Sequence, residues 1–385
     1  MTASRGSVLH TLCVLVLMSQ FSACTETPAT TADDYMDGWS GSTAEMDYDG
    51  YVQQCKKEDV RSFRRTFLPA IYALVCLLGL VGNGLVVLTY VYYKRLRTMT
   101  DVYLLNLALA DLLFLLTLPF WAVSVARQWL FGRAVCKAVH GVYRLSFISG
   151  MLLLMCISID RYFSIVRAAS AHRYRSKAVR CSKLVSVGVW VLSAVFSVPE
   201  LVYSDELRTD DTVHCRMSQD NSTFIYTTSL QISFGFLLPL VVMGFCYCVV
   251  VRTLLLARNF EKNKAIKVII AVVLAFLLFQ LPYNSVLLID TIADVNATVT
   301  DCEQSKRMNL ALDISKSLAY ARCCLNPFLY AFIGVKFRRD LLKLLKEMGC
   351  VSGEKLLKLA ALRPGASGVR STVVTDTDST TTFSP

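Results

Sequence analysis

Seven stretches of this chain are each long and apolar enough to span a bilayer: 67–93, 103–126, 136–166, 184–203, 224–251, 265–293 and 308–333. Crossing ~30 Å of hydrocarbon takes about 20 residues of helix. Lipid offers a peptide group no hydrogen-bonding partner, so each stretch must close its own backbone bonds as a helix. The fold class this predicts is all-α, a seven-transmembrane helix bundle. Composition agrees: 54% of residues are hydrophobic, 18% are charged and the mean hydropathy is +0.48. That balance excludes a disordered chain, a collagen-like repeat and a small disulfide scaffold. The net charge of +11 reports which loops face the cytoplasm. It gives no support to nucleic-acid binding.

Residues 1–24 read as a cleaved signal peptide. Arg5 supplies a positive start, 8–18 an apolar stretch too short to span, and Ser22, Ala23 and Cys24 a small-residue cleavage site. An uncleaved anchor is the alternative. Segments 94–100, 167–183 and 252–267 hold fourteen Lys/Arg against the single acid Glu261, whereas 127–137, 205–221 and 294–307 hold seven against eight acids. The positive-inside rule places the first set in the cytoplasm, the N-terminus outside and the C-terminus inside. Two Asn-x-Ser/Thr glycosylation sequons, at Asn221 and Asn296, fall in the loops assigned outside on charge.

Four of the 14 cysteines lie on the oxidising side: Cys55, Cys136, Cys215 and Cys302. They allow three connectivities. Cys136–Cys215 with Cys55–Cys302 would tie the second outer loop to helix 3 and the N-terminal segment to the mouth of helix 7. Two ionisable residues stand where lipid makes them expensive. Asp111 lies about 12 Å into helix 2 and Arg322 about 16 Å before the inner end of helix 7, at 1.5 Å per residue. A direct or water-bridged Asp111–Arg322 pair satisfies both; the alternative is Asp111 on a cation with Arg322 turned elsewhere. Asp160-Arg161-Tyr162 closes helix 3, about 37 Å of helix below Cys136.

The ordered set Gly82-Asn83, Leu107-Ala-Leu-Ala-Asp111, Asp160-Arg161-Tyr162, Trp190, Pro239 with Tyr247, Pro282 and Asn326-Pro327-Phe-Leu-Tyr330 resembles the rhodopsin-like G-protein-coupled receptors. Within that family, Thr117-Leu-Pro119-Phe-Trp121, Trp129-Leu-Phe-Gly132 and the extra Cys55/Cys302 pair resemble the chemokine receptors. The resemblance implies a rhodopsin-like bundle that recognises CC chemokines outside, activates an inhibitory-class G protein inside and drives chemotaxis of immune cells from the plasma membrane. It also implies the Cys136–Cys215 and Cys55–Cys302 pairing. Arg161, Tyr247 and Tyr330 resemble the family's switch residues, with Arg161 held by Asp160 at rest and Pro282 and Pro327 as kinks. Tyr72, Trp121 and Tyr143 match the aromatic wall of the ligand mouth. Arg144, Glu200, Asp205, Asp313 and Lys316 are candidate charges there, although Asp313 and Lys316 are spaced to pair with each other. Several positions depart from the family pattern. Gln280 stands where a Trp is expected two residues before Pro282, and Lys316 where many chemokine receptors present Glu. Arg322 and Gly150 replace polar neutral partners common around the wider family's sodium site.

Outside, residues 25–55 carry seven acids and no Lys or Arg. Such a tail raises encounter rates with a basic ligand. Tyr35 and Tyr48, flanked by acids, resemble tyrosine-sulfation sites. The chain thus divides into a signal peptide, an acidic extracellular segment 25–66, the bundle 67–333, a short amphipathic eighth helix within 334–350, and a disordered cytoplasmic tail 351–385. The eighth helix would lie on membrane lipid, with Cys350 beyond it as a palmitoylation candidate. Ten Ser/Thr in 367–384 offer phosphorylation sites for receptor kinases and hence an arrestin-docking strip. The four histidines are scattered, with no metal spacing and no nucleophile motif, so neither an enzyme nor a cofactor is expected. The rival readings are a scavenging chemokine receptor that internalises ligand without G-protein signalling and, more remotely, a transporter.

Overall fold

A computed structural model of the chain describes residues 58–93, 96, 98–166, 168–209, 212–217, 221–256, 262–295, 302–333 and 335–347. The helices are α1 Glu58–Tyr92, α2 Met99–Ala126, α3 Gly132–Val166 and α4 Ala168–Tyr203. A two-stranded hairpin follows, β1 Ser204–Thr209 and β2 Thr212–Met217. α5 begins as Asn221–Ile232, passes through a π turn at Ser233–Leu237 and continues as Leu238–Leu256. α6 is Lys262–Val295, α7 Cys302–Ile333 and α8 Val335–Glu347. The all-α expectation holds; six of the seven predicted spans lie inside α2–α7, and the first, 67–93, runs one residue past the end of α1. Among the described residues, α1 to α6 each contain a stretch long and apolar enough to cross a membrane. α7 falls short on composition because Asp313, Lys316, Arg322 and Asn326 share its length.

Two helix starts and one loop differ most from the sequence reading. α1 starts at Glu58 rather than 67, so part of the expected outer segment is helix. α4 starts at Ala168 rather than 184, and the basic stretch read as a loop is helical. No Pro or Gly interrupts 168–183, so the helix runs on past the apolar stretch that hydropathy detects. The outer loop 205–221 contains an antiparallel hairpin in which Glu206 faces Cys215 and Asp205 faces Arg216.

α3 is the central rod: 61% of its apolar window is buried, against 22–39% for the other five spans. Outward residues such as Leu77, Val81, Val191 and Leu256 are exposed and apolar, as a lipid-facing surface requires. The start of α2 is fixed by a capping box. Asp101 N–H donates to Thr98 Oγ1 at 3.1 Å and Thr98 N–H to Asp101 Oδ2 at 2.9 Å. The π turn ends at Leu237, two residues before Pro239, which has no N–H to give to a regular helical ladder. In α8 Leu344 is buried while Lys343, Lys346 and Glu347 are exposed, an amphipathic distribution.

Two glycines act through space and conformation. Gly132 holds φ +84° at the start of α3, a region that side chains rarely adopt. A Cβ at Gly82 would stand 2.9 Å from Pro327 Cγ, so only Gly allows α1 this close to α7. Gly82→Val is expected to cost about 1–3 kcal/mol by overpacking against a rigid ring. Gly84 has open space around it, so Gly84→Ala is expected to leave thermal stability in detergent equal or higher. Equal melting of Gly82→Val and the parent would contradict this contact.

Candidate functional site

The outer end of α3 is fastened first. Cys136 and Cys215 form a disulfide with Cα atoms 5.7 Å apart, bonding β2 to α3. Trp129 packs on this pair. Its indole N–H donates to Gly132 O at 3.1 Å and its backbone N–H to Val213 O at 2.8 Å. The Trp-x-x-Gly turn therefore holds the hairpin over the mouth of the bundle. Cys302 is also disulfide-bonded, to a partner outside the described residues. On the hairpin, burial first and then the cations Arg216, Arg61 and Arg64 hold the His214 imidazole below its ordinary range, so it stays neutral at physiological pH.

Beneath the hairpin lies an aromatic floor. Tyr320 is its hub, with ring centroids 5.6 Å from Tyr72, 4.9 Å from Phe114 and 5.9 Å from Tyr143. Trp121 joins through Tyr143 at 6.4 Å and meets His140 edge-on at 4.8 Å. The structure thus brings together Tyr72, Trp121 and Tyr143. Tyr320 and Phe114 are additions the sequence reading missed. The signal was present in helical spacing: Tyr320 is four residues from Lys316, and Phe114 three from Asp111.

The charges behave differently from expectation. Arg144 and Glu200 are buried and satisfy each other. Arg144 Nε donates to Glu200 Oε1 at 3.0 Å, and Nη2 closes on the same oxygen. Arg144 Nη1 donates to Gln231 Oε1 at 2.5 Å, Gln231 Nε2 reaches Tyr283 Oη at 3.3 Å, and His140 Nδ1 is 3.5 Å from Glu200 Oε2. One polar network therefore ties α3, α4, α5 and α6, and neither ion is presented to solvent. Asp205 pairs with Arg133 at 2.7 Å. Asp313 lies 2.8 Å from Arg64 Nε on α1, so the expected Asp313–Lys316 pair is not formed. The Arg64–Asp313 contact is ionic without hydrogen-bond alignment, since neither atom meets that geometry. Asp313 is taken because α1 extends outward far enough to bring Arg64 over α7.

Deeper in the bundle, Asp111 Oδ2 accepts from Asn326 Nδ2 at 2.5 Å, while Arg322 Nη2 is 3.8 Å from Asp111 Oδ1. The close partner is the amide, and the guanidinium supplies charge from just beyond hydrogen-bond reach. Gly150 makes room for it: a Cβ there would lie 3.4 Å from Arg322 Nη2. These residues do not suit a sodium ion, because the carboxylate already faces a fixed cation and an amide.

At the inner end of α3 the direct Asp160–Arg161 latch is absent among the described residues. Thr100 of α2 stands between them, its hydroxyl donating to Asp160 Oδ2 and accepting from Arg161 Nη2 at 3.0 Å. The reason is geometric: adjacent residues on a helix diverge by about 100°, so a third group must bridge them. Tyr247 Oη accepts from Ser158 Oγ at 3.0 Å, and Tyr162 packs on Phe245 at 6.2 Å. Gln280 is 1% exposed, with no hydrogen-bond partner for its amide among the described residues. Pro282 and Pro327 lie within continuous helices, Pro327 against Gly82. Tyr35, Tyr48, Cys55, Asn296 and Cys350, and the side chains of Asn221 and Tyr330, lie outside the described residues.

Breaking a buried ion pair strands the surviving charge, at about 3–5 kcal/mol, whereas replacing both ions by apolar groups is often neutral. Glu200→Ala is therefore expected to lower the melting temperature more than the double variant Arg144→Met/Glu200→Leu. The reverse order would show that the pair is not desolvated.

A profile of the family described as 7 transmembrane receptor (rhodopsin family) matches residues 82–330. C-C chemokine receptor type 7 of Homo sapiens is 51% identical over 383 residues, covering 99% of both chains. The type 7 receptor of Mus musculus is likewise 51% identical, with 99% of both chains covered. C-C chemokine receptor type 9 of Homo sapiens is 43% identical over 331 residues, 83% of this chain and 88% of that one. The relatives are receptors rather than enzymes. This chain belongs to the rhodopsin family of seven-transmembrane receptors, and within it to the C-C chemokine receptors.

Proposed function

We propose that the protein is a plasma-membrane receptor that binds CC chemokines at its outer mouth and activates an inhibitory-class G protein, driving chemotaxis of immune cells. In this reading the N-terminus is extracellular and the C-terminus cytoplasmic. The acidic segment 25–55, sulfated at Tyr35 and Tyr48, attracts the basic chemokine body, and the chemokine's flexible end enters the aromatic floor of Tyr72, Trp121, Tyr143 and Tyr320. Asn221 and Asn296 carry glycans, and Cys55 bonds Cys302. Inside, Asp160, Arg161, Tyr162, Tyr247, Gln280, Pro282, Asn326, Pro327 and Tyr330 form the switch. Membrane lipid supports α8, with Cys350 palmitoylated, and kinases and arrestin engage the Ser/Thr tail.

The observation that carries the signalling reading is the Asp160–Thr100–Arg161 bridge. It fastens the inner end of α3 to α2 through one hydroxyl, and a receptor that never opened this cleft would have no use for so light a tether. Agonist works by binding the opened state more tightly than the closed one. Tyr143 and Arg161 are 18 residues apart on α3, about 27 Å of helix, so the mouth and the tether share one rigid rod.

In cells expressing the receptor, a CC chemokine panel is expected to yield at least one ligand that lowers cyclic AMP in a pertussis-toxin-sensitive manner. Internalisation of ligand without any such response would instead establish the scavenging function. Removing the tether with Thr100→Ala is expected to raise agonist-independent nucleotide exchange about 2- to 10-fold at matched surface expression, the equivalent of one hydrogen bond. Unchanged basal exchange would remove Thr100 from the switch.

A further inference from the structure

Around the outer end of the bundle most charge is internally neutralised: Glu200 by Arg144, Asp205 by Arg133 and Asp313 by Arg64. Lys316 is different. Among the described residues no carboxylate oxygen lies within 4.0 Å of its ammonium. Asp313, its neighbour at i−3 on α7, is engaged across the helix pair by Arg64. The Lys316 Nζ instead stands 5.8 Å from the centroid of Tyr320, the ring on which Tyr72, Phe114 and Tyr143 converge. The residue is half-buried. A cation–π contact of this kind holds an ammonium in place without neutralising it. The floor of the mouth therefore presents a fixed positive charge over an apolar surface.

We propose that Lys316 is a charge-selecting residue that takes an Asp or Glu carboxylate of the flexible segment a chemokine inserts into the mouth. The proposal rests on the chemokine reading above and adds the chemistry of the inserted end. A basic ligand body held by an acidic tail and an acidic inserted end held by Lys316 are two separate complementarities, of opposite sign. Selection works by repulsion as well as attraction, because a segment that brings Lys or Arg to this floor meets another cation in a partly desolvated site.

The test uses a synthetic CC chemokine that activates the wild-type receptor and carries one Asp ahead of its first cysteine. Its Asp→Asn and Asp→Lys versions are measured alongside it. Binding affinity and potency for G-protein activation are read on wild type, Lys316→Met and Lys316→Glu at equal surface expression. The wild type is expected to lose about 10-fold or more in potency with the Asn ligand, the value of one charge-assisted hydrogen bond. Lys316→Met is expected to lose as much with the Asp ligand and to ignore the Asp→Asn change. Lys316→Glu is expected to prefer the Lys ligand, a rescue that a merely misfolded variant cannot give. Equal potency of all three ligands on wild type and Lys316→Met would overturn the proposal while leaving the receptor reading intact. So would a loss in Lys316→Glu with no switch of ligand preference, or an active chemokine that has no carboxylate in that segment and is indifferent to Lys316→Met. If no CC chemokine bound the wild type at all, the chemokine reading would fail and this inference with it.

Discussion

A polar group inside hydrocarbon has no water to fall back on, and that single constraint organises the interior of this bundle. Lipid tails are as apolar as leucine, so apolar packing alone gives helices little reason to choose one neighbour over another. The polar contacts supply the choice. Asn83 Nδ2 on α1 donates to Cys323 O on α7, Asn326 on α7 donates to Asp111 on α2, and Trp190 Nε1 on α4 donates to Asn106 on α2. The network centred on Arg144 joins α3 to α4 at Glu200 and, through Gln231 of α5, to Tyr283 of α6. Each contact crosses between two helices, and together they set which helix lies beside which.

The two ends of α3 are held with very different strength. Outside, a disulfide and the Trp129 turn fix it to the hairpin covalently. Inside, Thr100 holds both Asp160 and Arg161 through one hydroxyl. A rod held covalently at one end and by hydrogen bonds and side-chain packing at the other suits the proposed transmission, since a ligand that favours one arrangement shifts the equilibrium. α5 and α6 each carry an irregular point. The π turn of α5 packs Gly235 so closely on Phe147 that a Cβ would come within 2.5 Å. α6 buries Gln280, and the Oδ1 of Asn284 one turn on, without partners among the described residues. A helix that keeps polar groups unsatisfied costs less to move than one that is fully paired.

The same pairing logic separates structural charges from those available to a ligand. Arg144 and Glu200 look like ligand contacts in a linear reading because both are ionic and near the outer surface. Their mutual burial makes them a fastening between α3 and α4. Lys316 looks like half of an intrahelical pair, but Arg64 claims Asp313 and leaves the lysine over Tyr320. Roles were reassigned by contacts between helices, and no property of the residue types themselves changed.

The sequence by itself determined the bundle, its seven spans and the position of the intramembrane charges, because hydropathy and helical rise are local quantities read residue by residue. It also supplied the motif set that marks the family, and the aromatic residues Tyr72, Trp121 and Tyr143. Helix ends at Glu58 and Ala168 escaped it because helical backbone continues past the apolar stretch into water, where hydropathy has no signal. The hairpin 204–217 escaped it because strand pairing is set by the disulfide and by Trp129, both long-range contacts. Only the tertiary structure decided that Asn326 donates to Asp111 while Arg322 pairs with it from 3.8 Å, and that Thr100 bridges Asp160 and Arg161. It also left Lys316 with no carboxylate oxygen within 4.0 Å among the described residues. A charge's partner is whichever opposite group the packing of separate helices brings within about 4 Å, and spacing along one helix does not contain that distance.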